Sequence, residues 1–511
     1  MGEAKEECGI AAACVPEKEN AAYYLYKMLL QEQNRGQLSA GITTFNTSKK
    51  KLLSTLRETG LVNEVFKVQN TAAFNGTMKK FFGSKGIGHL RYSTFGGNKK
   101  AFAQPFERKH GRKWKWFSFC FNGNIANFSE LKKDLEKNQY HFVLDNDTEL
   151  MMHFLARGCR GDSRPKIVDV FSSLHPALDG AYSIAFVNAE GETVVARDHL
   201  GFKPLVIGKK DGVIAAASES ASLESIGIEK FETVKPGALI EMHNGCIEKK
   251  WFCKSQRKAH CMFEWVYFAN IASEIEGVNV YNARYALGEE LAKIETEKIS
   301  EEHIVVPVPD TAKPAADALA FSLGAPSREG IIRNRYVGRT FIEGDNRFEK
   351  AREKYGINKK VVSGKKVILV EDSIVRGTTT KAIVKYIKET GKAKEVHVRV
   401  SCPPIRFPCF YGIDMSTFGE FIAAPKKGIA LENIQVELSE SELEKIRQHM
   451  GADSLAYQPI EGLVKGIGLE TGSSDLCMAC LNGRYPTSFG EKLEKTAWEN
   501  YSKGETKRAY E

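Results

Sequence analysis

The sequence predicts two folded halves, an α+β sandwich followed by an α/β domain built on a parallel sheet, with a helical tail. The chain has 511 residues, a length that corresponds to about two to four domains. Short apolar runs broken by Gly, Asn and Asp fill the first half, whereas apolar runs followed by helix-period segments fill the second. With 42% hydrophobic and 27% charged residues, the composition is typical of a folded globular protein.

The sandwich is predicted over residues 8–255. Two helical stretches, 21–33 and 148–157, are expected to interrupt its strands, and Asp147 occupies the cap position of the second. Strands and helices that do not alternate strictly are typical of an α+β sandwich. The predicted strands are apolar runs bounded by turn residues, and they include 181–187, 193–196 and 213–217.

The α/β domain is predicted over residues 256–438, after a boundary near 250–262. Residues 439–511 are rich in charge and helical in period, so they are predicted to form a helical C-terminal extension. Within the domain, each apolar strand is followed by a loop and a helical segment, which predicts parallel strands connected by helices. These strands and helices follow in the order 303–308, 314–323, 366–370, 378–390 and 396–400.

Composition also limits the function. A net charge of +9 is slight for this length, so neither nucleic acid nor a membrane is expected as a partner, and acidic small molecules are favoured. No apolar run reaches the roughly 18 residues of a membrane span and the N-terminus is charged, so a soluble, cytoplasmic protein is expected. The 11 cysteines, an odd number, indicate metal binding, catalysis or buried thiols rather than disulfides.

Five polar motifs follow one another in the first half. Each alone has an ordinary explanation, such as a buried thiol, a surface ion pair, a hairpin turn or a helix cap. The motifs are Cys8-Gly9-Ile10, Asn34-Arg35-Gly36-Gln37, Gly88-His89-Leu90-Arg91, Asn122-Gly123-Asn124 and Asp147-Thr148-Glu149. Together and in this order, they closely resemble the glutamine-amidotransferase domain of the N-terminal-nucleophile type.

That resemblance implies an N-terminal-nucleophile glutaminase sandwich in which Cys8 is the nucleophile. Removal of residues 1–7 as a propeptide would free the α-amine of Cys8, which has a pKa of about 7.7–8.0 and can serve as the base. The resemblance assigns the oxyanion hole to Asn122 and Gly123. It assigns glutamine binding to Arg91 at the α-carboxylate, Asp147 at the α-ammonium group, and Arg35 and Gly36 in the pocket wall.

In the second half, a predicted strand ends in two acids and a hydroxyl-rich loop, Glu371-Asp372-Ser373-Ile374-Val375-Arg376-Gly377-Thr378-Thr379-Thr380. Gly377 permits a tight turn, and hydroxyls and N–H groups at the start of the next helix form a phosphate cradle. The two carboxylates suit ribose hydroxyls and Mg²⁺, which prefers oxygen ligands that it shares with phosphates. The sequence contains no P-loop motif, so a P-loop NTPase is not supported.

This loop resembles the 5-phosphoribosyl-1-pyrophosphate motif of type I phosphoribosyltransferases, and residues 306–313 and 333–342 resemble their pyrophosphate loop and mobile loop. The resemblance implies that Thr311, Glu371 and Asp372 are ligands of Mg²⁺. The implied contacts of phosphoribosyl pyrophosphate are Asp310, Thr311, Lys313, Arg339, Glu371, Asp372, Ser373, Val375, Arg376, Gly377, Thr378 and Thr379.

Four cysteines form a candidate metal site. Cys477 and Cys480 are a C-x-x-C pair, which suits metal binding or redox chemistry. Cys261 and Cys409 stand where the iron–sulfur members of a related family carry ligands, so the resemblance implies a [4Fe–4S] cluster on all four thiolates. A structural Zn²⁺ site with the same ligands is the alternative.

From Cys8 to about residue 486, the chain as a whole resembles that family, the amidophosphoribosyltransferases of the iron–sulfur type. The resemblance implies that glutamine, water and phosphoribosyl pyrophosphate give 5-phosphoribosylamine, in the first committed step of purine biosynthesis. It also implies feedback inhibition by purine nucleotides and a homotetramer. Residues 270–272, Asn-Ile-Ala, depart from the Arg-Pro-Asp usual in the family. The alternative function is a non-catalytic regulator that binds phosphoribosyl pyrophosphate and has a degenerate glutaminase half.

Overall fold

The structure, a computed structural model, describes residues 8–92, 99–243, 245–334 and 352–509. Two predictions fall outside these residues: the propeptide 1–7, and Arg339 in the mobile loop.

Two antiparallel sheets form the first half. Its strands are β1 (Gly9–Cys14), β2 (Ser39–Phe45), β3 (Leu53–Thr59), β4 (Lys85–Arg91), β5 (Phe106–Arg108), β6 (Phe117–Ile125), β7 (Gly180–Asn188), β8 (Thr193–Arg197), β9 (Val206–Lys210), β10 (Val213–Ala217), β11 (Phe231–Thr233), β12 (Ala238–His243) and β13 (Cys246–Trp251). Among the described residues, one sheet has the order β11-β9-β10-β1-β4-β2-β3 and the other β13-β12-β8-β7-β6-β5. The strands predicted at 181–187, 193–196 and 213–217 are confirmed as parts of β7, β8 and β10.

Helices cover the outer face of each sheet, which gives the predicted α+β sandwich. They are α1 (Ala21–Gln31), α2 (Val62–Val65), α3 (Thr71–Lys80), α4 (Phe128–Lys137), α5 (Asp147–Gly158), α6 (Ile167–Leu174) and α7 (Ser220–Glu224). Helix α1 packs on β1, β2 and β4, and α5 packs on β6 of the other sheet. Buried side chains that include Ile10, Ala12, Cys120 and Ala185 fill the space between the sheets.

The prediction of two helical stretches in this half is wrong in number. Helices α1 and α5 match it, but α2, α3, α4, α6 and α7 also form. Helix α3 buries a single side chain, Met78, so its sequence carries no apolar stripe. Helices α4 and α6, with 10 and 8 residues, are too short to repeat the helical period clearly.

A parallel sheet of the order β17-β20-β21-β22 forms the centre of the second half. Its described strands are β14 (His260–Cys261), β15 (Glu274–Ile275), β16 (Val278–Asn279), β17 (His303–Pro307), β18 (Ile331–Arg333), β19 (Tyr355–Ile357), β20 (Lys366–Glu371), β21 (Glu395–Val400), β22 (Ser454–Tyr457) and β23 (Leu476–Cys477). The helices are α8 (Val280–Lys293), α9 (Lys313–Leu323), α10 (Lys359–Val362), α11 (Thr378–Glu389), α12 (Glu440–Met450), α13 (Ile460–Ile467), α14 (Ala479–Asn482) and α15 (Ser488–Ser502). Strands β17 and β20 are parallel, so their carboxyl ends meet at one edge of the sheet.

The C-terminal region differs from the purely helical extension that the sequence predicts. Strand β22 adds to the edge of the parallel sheet, where Leu455 lies beside Val398 of β21. The four-residue run Ser454–Tyr457 is too short to give a clear strand period against the surrounding helices. None of the helices within the described ranges is both long and apolar enough to cross a membrane.

Candidate active site

Cys8 lies at the start of β1, next to the end of β4. Because Gly9 is in register with Leu90 in this antiparallel pair, Cys8 lies at the level of Arg91. The Cys8 thiol is 3.9 Å from the carbonyl oxygen of Tyr92. The Ile10 N–H donates to a buried serine hydroxyl at 3.0 Å, which fixes the strand directly after the cysteine. A half-buried thiol is therefore held beside a guanidinium group.

Asn122 and Gly123 lie inside β6, so they do not form the hairpin turn that their sequence permits. The side chain of Asn122 is buried, and its Nδ2 has no hydrogen-bond acceptor among the described residues. Gly123 has φ +155°, and a Cβ at this position would lie 1.9 Å from the carbonyl oxygen of Ala181 in β7. Only glycine fits there. A buried amide donor without a partner is suited to a negative charge that forms during a reaction.

Asp147 is the first residue of α5, and the cap is its neighbour, which corrects the prediction that Asp147 caps the helix. The Asn146 side chain accepts the Glu149 N–H at 2.8 Å, so the carboxylate of Asp147 is not needed for capping. Burial raises the pKa of Asp147 to about 6, and hydrogen bonds and Arg91 act in the opposite direction. Burial also lowers the pKa of Arg91, which Cys8 and Asp147 partly offset. Arg91 is buried, so it is not a surface ion-pair residue.

Arg35 is fully buried. Its Nε donates to the backbone oxygen of Cys8 at 3.2 Å. Its two terminal nitrogens contact the carboxylate of Glu264 at 2.7 and 3.0 Å, and Glu219 lies 3.0 Å from one of them. At Gly36, a Cβ would lie 2.8 Å from the backbone of Arg91, so glycine allows these two segments to pass closely. Both residues therefore act on the backbone around Cys8.

A cavity of about 350 Å³ lies between the two halves. The first half contributes Asn34 and Gln37, which flank Arg35 and Gly36 in the chain. The second half contributes the carboxyl ends of β17 and β20 and the start of α11. The predicted phosphoribosyl pyrophosphate residues that line the cavity are Asp310, Thr311, Glu371, Asp372, Ser373, Val375, Gly377 and Thr379. The structure thus places the motif Asn34-Arg35-Gly36-Gln37 of the first half beside the predicted phosphoribosyl pyrophosphate site.

The loop after β20 has the features of a phosphate site. Gly377 has φ +69°, which suits glycine, and it directly precedes α11. The free N–H groups of the first turn, Thr378 included, point toward the amino end of that helix. Thr380 donates to the Glu371 carboxylate at 3.2 Å, and Ser373 donates to the Asp372 carboxylate at 2.7 Å. These two carboxylates are held in the cavity wall, where they can meet a cation or sugar hydroxyls.

Three predicted phosphoribosyl pyrophosphate residues among the described ones do not line this cavity: Lys313, Arg376 and Thr378. Lys313 forms an ion pair with Glu329 at 2.8 Å, and Arg376 forms one with Glu420. Their side chains are therefore held by acidic partners outside the cavity in this structure.

Some residues of the cavity wall belong to none of the sequence motifs. Arg284 of α8 lines the cavity and donates to the backbone oxygens of Trp265, Tyr267 and Ala269 at 2.8–3.0 Å. Burial lowers the pKa of Arg284 to about 10, although nearby acids that include Asp372 act to raise it. A lone arginine on a helix gives no sequence signal of this position.

The departure at 270–272 also lies at the cavity. Asn270 and Ile271 line it, and the Asn270 N–H donates to the Glu219 carboxylate at 2.7 Å. Asn270 also accepts the Ala272 N–H at 3.0 Å, which closes a small turn. The segment is therefore tied to the first half even though its sequence departs from the family pattern.

The four predicted metal-binding cysteines, all of the second half, lie near one another. Cys261 of β14 is in register with Cys477 of β23. Burial raises the pKa of Cys477 to about 12. The pKa of Cys480 is raised well above its usual value, first by burial and then by the neighbouring thiols of Cys409, Cys261 and Cys477. A cation beside these sulfurs would reverse that shift, because metal binding favours the thiolate.

Comparison with known proteins agrees with this arrangement. Residues 89–225 match the glutamine amidotransferase domain family, and residues 278–406 match the phosphoribosyl transferase domain family. An amidophosphoribosyltransferase of Methanothermobacter thermautotrophicus is 37% identical over 500 residues, which covers 96% of this chain and 97% of the relative. The Bacillus subtilis amidophosphoribosyltransferase is 36% identical over 488 residues, with 95% of each chain covered.

Solved structures give the same result. The glutamine phosphoribosylpyrophosphate amidotransferase of B. subtilis, solved with ADP and GMP, matches with a TM-score of 0.81 and 34% identity over 94% of this chain and 98% of that one. A second structure, described as the allosteric regulatory enzyme of purine biosynthesis, matches with a TM-score of 0.81 and 35% identity over 94% and 97%. The chain therefore belongs to the amidophosphoribosyltransferase family, the glutamine-dependent enzymes of purine biosynthesis.

Proposed function

We propose that the reaction is divided between two sites, with glutamine hydrolysed at Cys8 and its nitrogen transferred in the cavity between the halves. The observation that carries this proposal is the cavity itself. Its wall includes Asn34 and Gln37 from the glutaminase half and Thr311 and Asp372 from the transferase half. In this proposal, residues 8–255 form the glutaminase domain, residues 256–438 the transferase domain and residues 439–511 the C-terminal extension.

At the first site, the sulfur of Cys8 attacks the carboxamide carbon of glutamine. The freed α-amine of Cys8 takes the thiol proton and later gives it to the departing nitrogen. Asn122 and Gly123 donate to the oxyanion, a role that the unpaired Nδ2 of Asn122 supports. Ammonia leaves, and water hydrolyses the thioester to give glutamate and free Cys8.

Glutamine is held by charges at its amino-acid end. Arg91 pairs with the α-carboxylate and Asp147 with the α-ammonium group. The mutual electrostatic effect of Arg91, Cys8 and Asp147 supports this assignment, because it requires all three to be close. Arg35 and Gly36 shape the glutamine pocket by setting the backbone position around Cys8.

At the second site, ammonia attacks C1 of phosphoribosyl pyrophosphate, the C1–O bond breaks, and pyrophosphate leaves. The amino end of α11 binds phosphate, and Glu371 and Asp372 face the ribose hydroxyls. Mg²⁺ held by Thr311, Glu371 and Asp372 would neutralise charge on the departing pyrophosphate. These oxygen donors line one cavity, and they are the ligand type that Mg²⁺ prefers, so they fit the ion.

Transfer inside the protein has a chemical reason. Ammonia must stay unprotonated to act as a nucleophile, and a site shielded from water slows its protonation and loss. The segment from Tyr267 to Ile271 forms part of the cavity wall between the two sites. We propose that this segment shields the nitrogen on its way.

We also propose that Cys261, Cys409, Cys477 and Cys480 hold a [4Fe–4S] cluster. Cys261 and Cys477 are in register, and the thiols of Cys409, Cys261 and Cys477 all act on the pKa of Cys480, which supports one shared site. The resemblance to the iron–sulfur members of the family favours the cluster over Zn²⁺, which the same four thiolates could also hold. The cluster would cross-link the transferase domain to the extension.

Purine nucleotides are proposed as regulators. The B. subtilis relative was solved with ADP and GMP, and this chain matches it over 94% of its length. Nucleotide monophosphates share the ribose phosphate group of the substrate, so the loop 371–380 offers them a chemically suitable site.

The division of labour is tested by supplying two nitrogen sources. Cys8→Ala protein should release no pyrophosphate with glutamine but should release it with ammonia, while Cys246→Ala, at an exposed thiol, should keep both activities. Asp372→Asn should lower both activities. If matured wild-type protein released no pyrophosphate from either source, a regulator without turnover would be the better conclusion. If Cys8→Ala protein used glutamine normally, Cys8 would not be the nucleophile.

A further inference from the structure

We propose that Glu264, a residue of the transferase half, is a positioning residue for the glutaminase nucleophile and acts through Arg35. The inference deepens the proposed function, because it rests on the role of Cys8 given there. Glu264 is the first residue of the π-helical segment Glu264–Phe268, and its side chain is 1% exposed. It is not among the residues that we assign to glutamine or phosphoribosyl pyrophosphate.

The contact between Glu264 and Arg35 is a two-pronged, fully buried ion pair. Nη2 lies 2.7 Å from Oε1 and Nη1 lies 3.0 Å from Oε2. Two parallel hydrogen bonds fix the plane of a guanidinium group. Fixing that plane also fixes the direction of Nε, which donates to the backbone oxygen of Cys8 at 3.2 Å. The carboxylate of Glu264 therefore sets where the carbonyl of Cys8 lies.

A second buried acid, Glu32, packs against the same backbone. Burial and the Glu219 carboxylate raise the pKa of Glu32 well above its usual value, although Arg35 acts in the opposite direction. The carboxyl group of Glu32 lies against Gly9, where a Cβ would be 2.7 Å from its Oε2. The Cys8–Gly9 backbone thus has little room to shift if Arg35 stays in place.

The same network reaches the cavity wall. Glu219 accepts from the Asn270 N–H at 2.7 Å and from the Ser273 hydroxyl at 2.9 Å. Asn34 donates to Glu219 and to the backbone oxygen of Phe268, both at 2.9 Å. The wall of the transferase cavity and the carbonyl of Cys8 are therefore connected through one buried cluster of hydrogen bonds. A change at Glu264 should alter the first reaction and leave the second unchanged, because Arg35 connects Glu264 directly to Cys8 whereas Glu219 holds the cavity wall.

The test is Glu264→Gln in the mature, full-length enzyme. Glutamine keeps the size of the side chain but replaces one acceptor by a donor, so the two-pronged pair with Arg35 cannot form. We expect kcat/KM for glutamine to fall by about 10²-fold, the usual effect of a small misplacement of reacting atoms. Pyrophosphate release driven by ammonia should be unchanged, which also reports that the protein is folded. The pH profile of Cys8 alkylation by iodoacetamide should shift as well.

Glu276→Gln is the matched control. Glu276 also belongs to the second half and forms a buried ion pair with a first-half arginine, Arg197, at 2.6 Å. Arg197 donates to the backbone oxygens of Gly201 and Val234 and not to Cys8. The Glu276→Gln variant loses a comparable contact between the halves, but that contact does not reach Cys8. It should therefore keep its glutamine activity and its Cys8 alkylation profile.

The inference is overturned if Glu264→Gln protein matches Glu276→Gln protein in both glutamine kcat/KM and alkylation profile. If Glu264→Gln protein does not fold, Glu264→Asp carries the test, because a side chain shorter by one methylene keeps the charge but not both contacts. Alkylation is measured on Cys8 itself, so it reports the effect of Glu264 even if Cys8→Ala protein shows that the nucleophile lies elsewhere.

Discussion

Replacing Gly123 by Ala should disable the glutaminase site and spare the transferase site. The added Cβ would lie 1.9 Å from the carbonyl oxygen of Ala181, while ordinary contacts begin at 3.4 Å. Strands β6 and β7 would therefore have to move apart locally by about 1.5 Å, the difference of these two distances. The φ of +155° adds strain, because side chains other than glycine rarely adopt it.

The displacement would carry Asn122 out of reach of the oxyanion. Loss of one oxyanion donor costs about 10²–10³ in kcat, so we expect a fall of that order in glutamine hydrolysis. The assay is glutamate release, with pyrophosphate release from ammonia as the measure of the intact second site. Gly111→Ala is the control, since a Cβ there meets nothing within 4 Å. Gly123→Ala protein that hydrolyses glutamine at the wild-type rate would refute the assignment of this strand to the oxyanion hole.

Three further outcomes are expected. Protein purified without air should be brown, with about four iron and four sulfide per chain. Cys477→Ser should remove the colour, whereas Cys246→Ser, at an exposed thiol, should not. Colourless protein with one zinc per chain would contradict the cluster. Burial raises the pKa of Asp147 to about 6, and protonation removes its charge, so kcat/KM for glutamine should fall as the pH drops through about 6. Asp147→Asn should lower kcat/KM at neutral pH and remove this fall from the pH profile. A fall near pH 6 that persists in the variant would belong to another group. Intact mass should show active protein that begins at Cys8, and full activity with Met1 attached would argue against the α-amine as base.

Sequence reasoning succeeded where a local pattern reports the environment. Strand β10 is an unbroken apolar run and is buried along its whole length, so its bounds follow from composition alone. The loop from Glu371 to Thr379 combines a strand end, a glycine and hydroxyls, and that order fixes its place at the sheet edge. Helix α3 gave no such signal because it buries only Met78.

Long-range ion pairs could not be predicted from the sequence. Arg35 and Glu264 are 229 residues apart, and nothing local to either distinguishes them from solvated charges. The same holds for Arg376, which the motif suggests for phosphate binding but which pairs with Glu420. Charge pairing depends on which elements the fold brings together, and short motifs do not carry that information.

The central claim, that nitrogen passes inside the protein from Cys8 to the phosphoribosyl site, is tested most directly by isotope competition. Wild-type enzyme would turn over glutamine labelled with ¹⁵N at the amide in the presence of unlabelled ammonium, which exceeds the ammonia released from glutamine but is kept at a concentration that alone drives negligible pyrophosphate release. The quenched 5-phosphoribosylamine would be analysed by mass. The account predicts that the product carries the label of the amide regardless of the ammonium in solution. Product whose label matches the diluted ammonium pool would show that the nitrogen escapes to solvent, and it would contradict the role assigned to the cavity between Asn34 and Asp372.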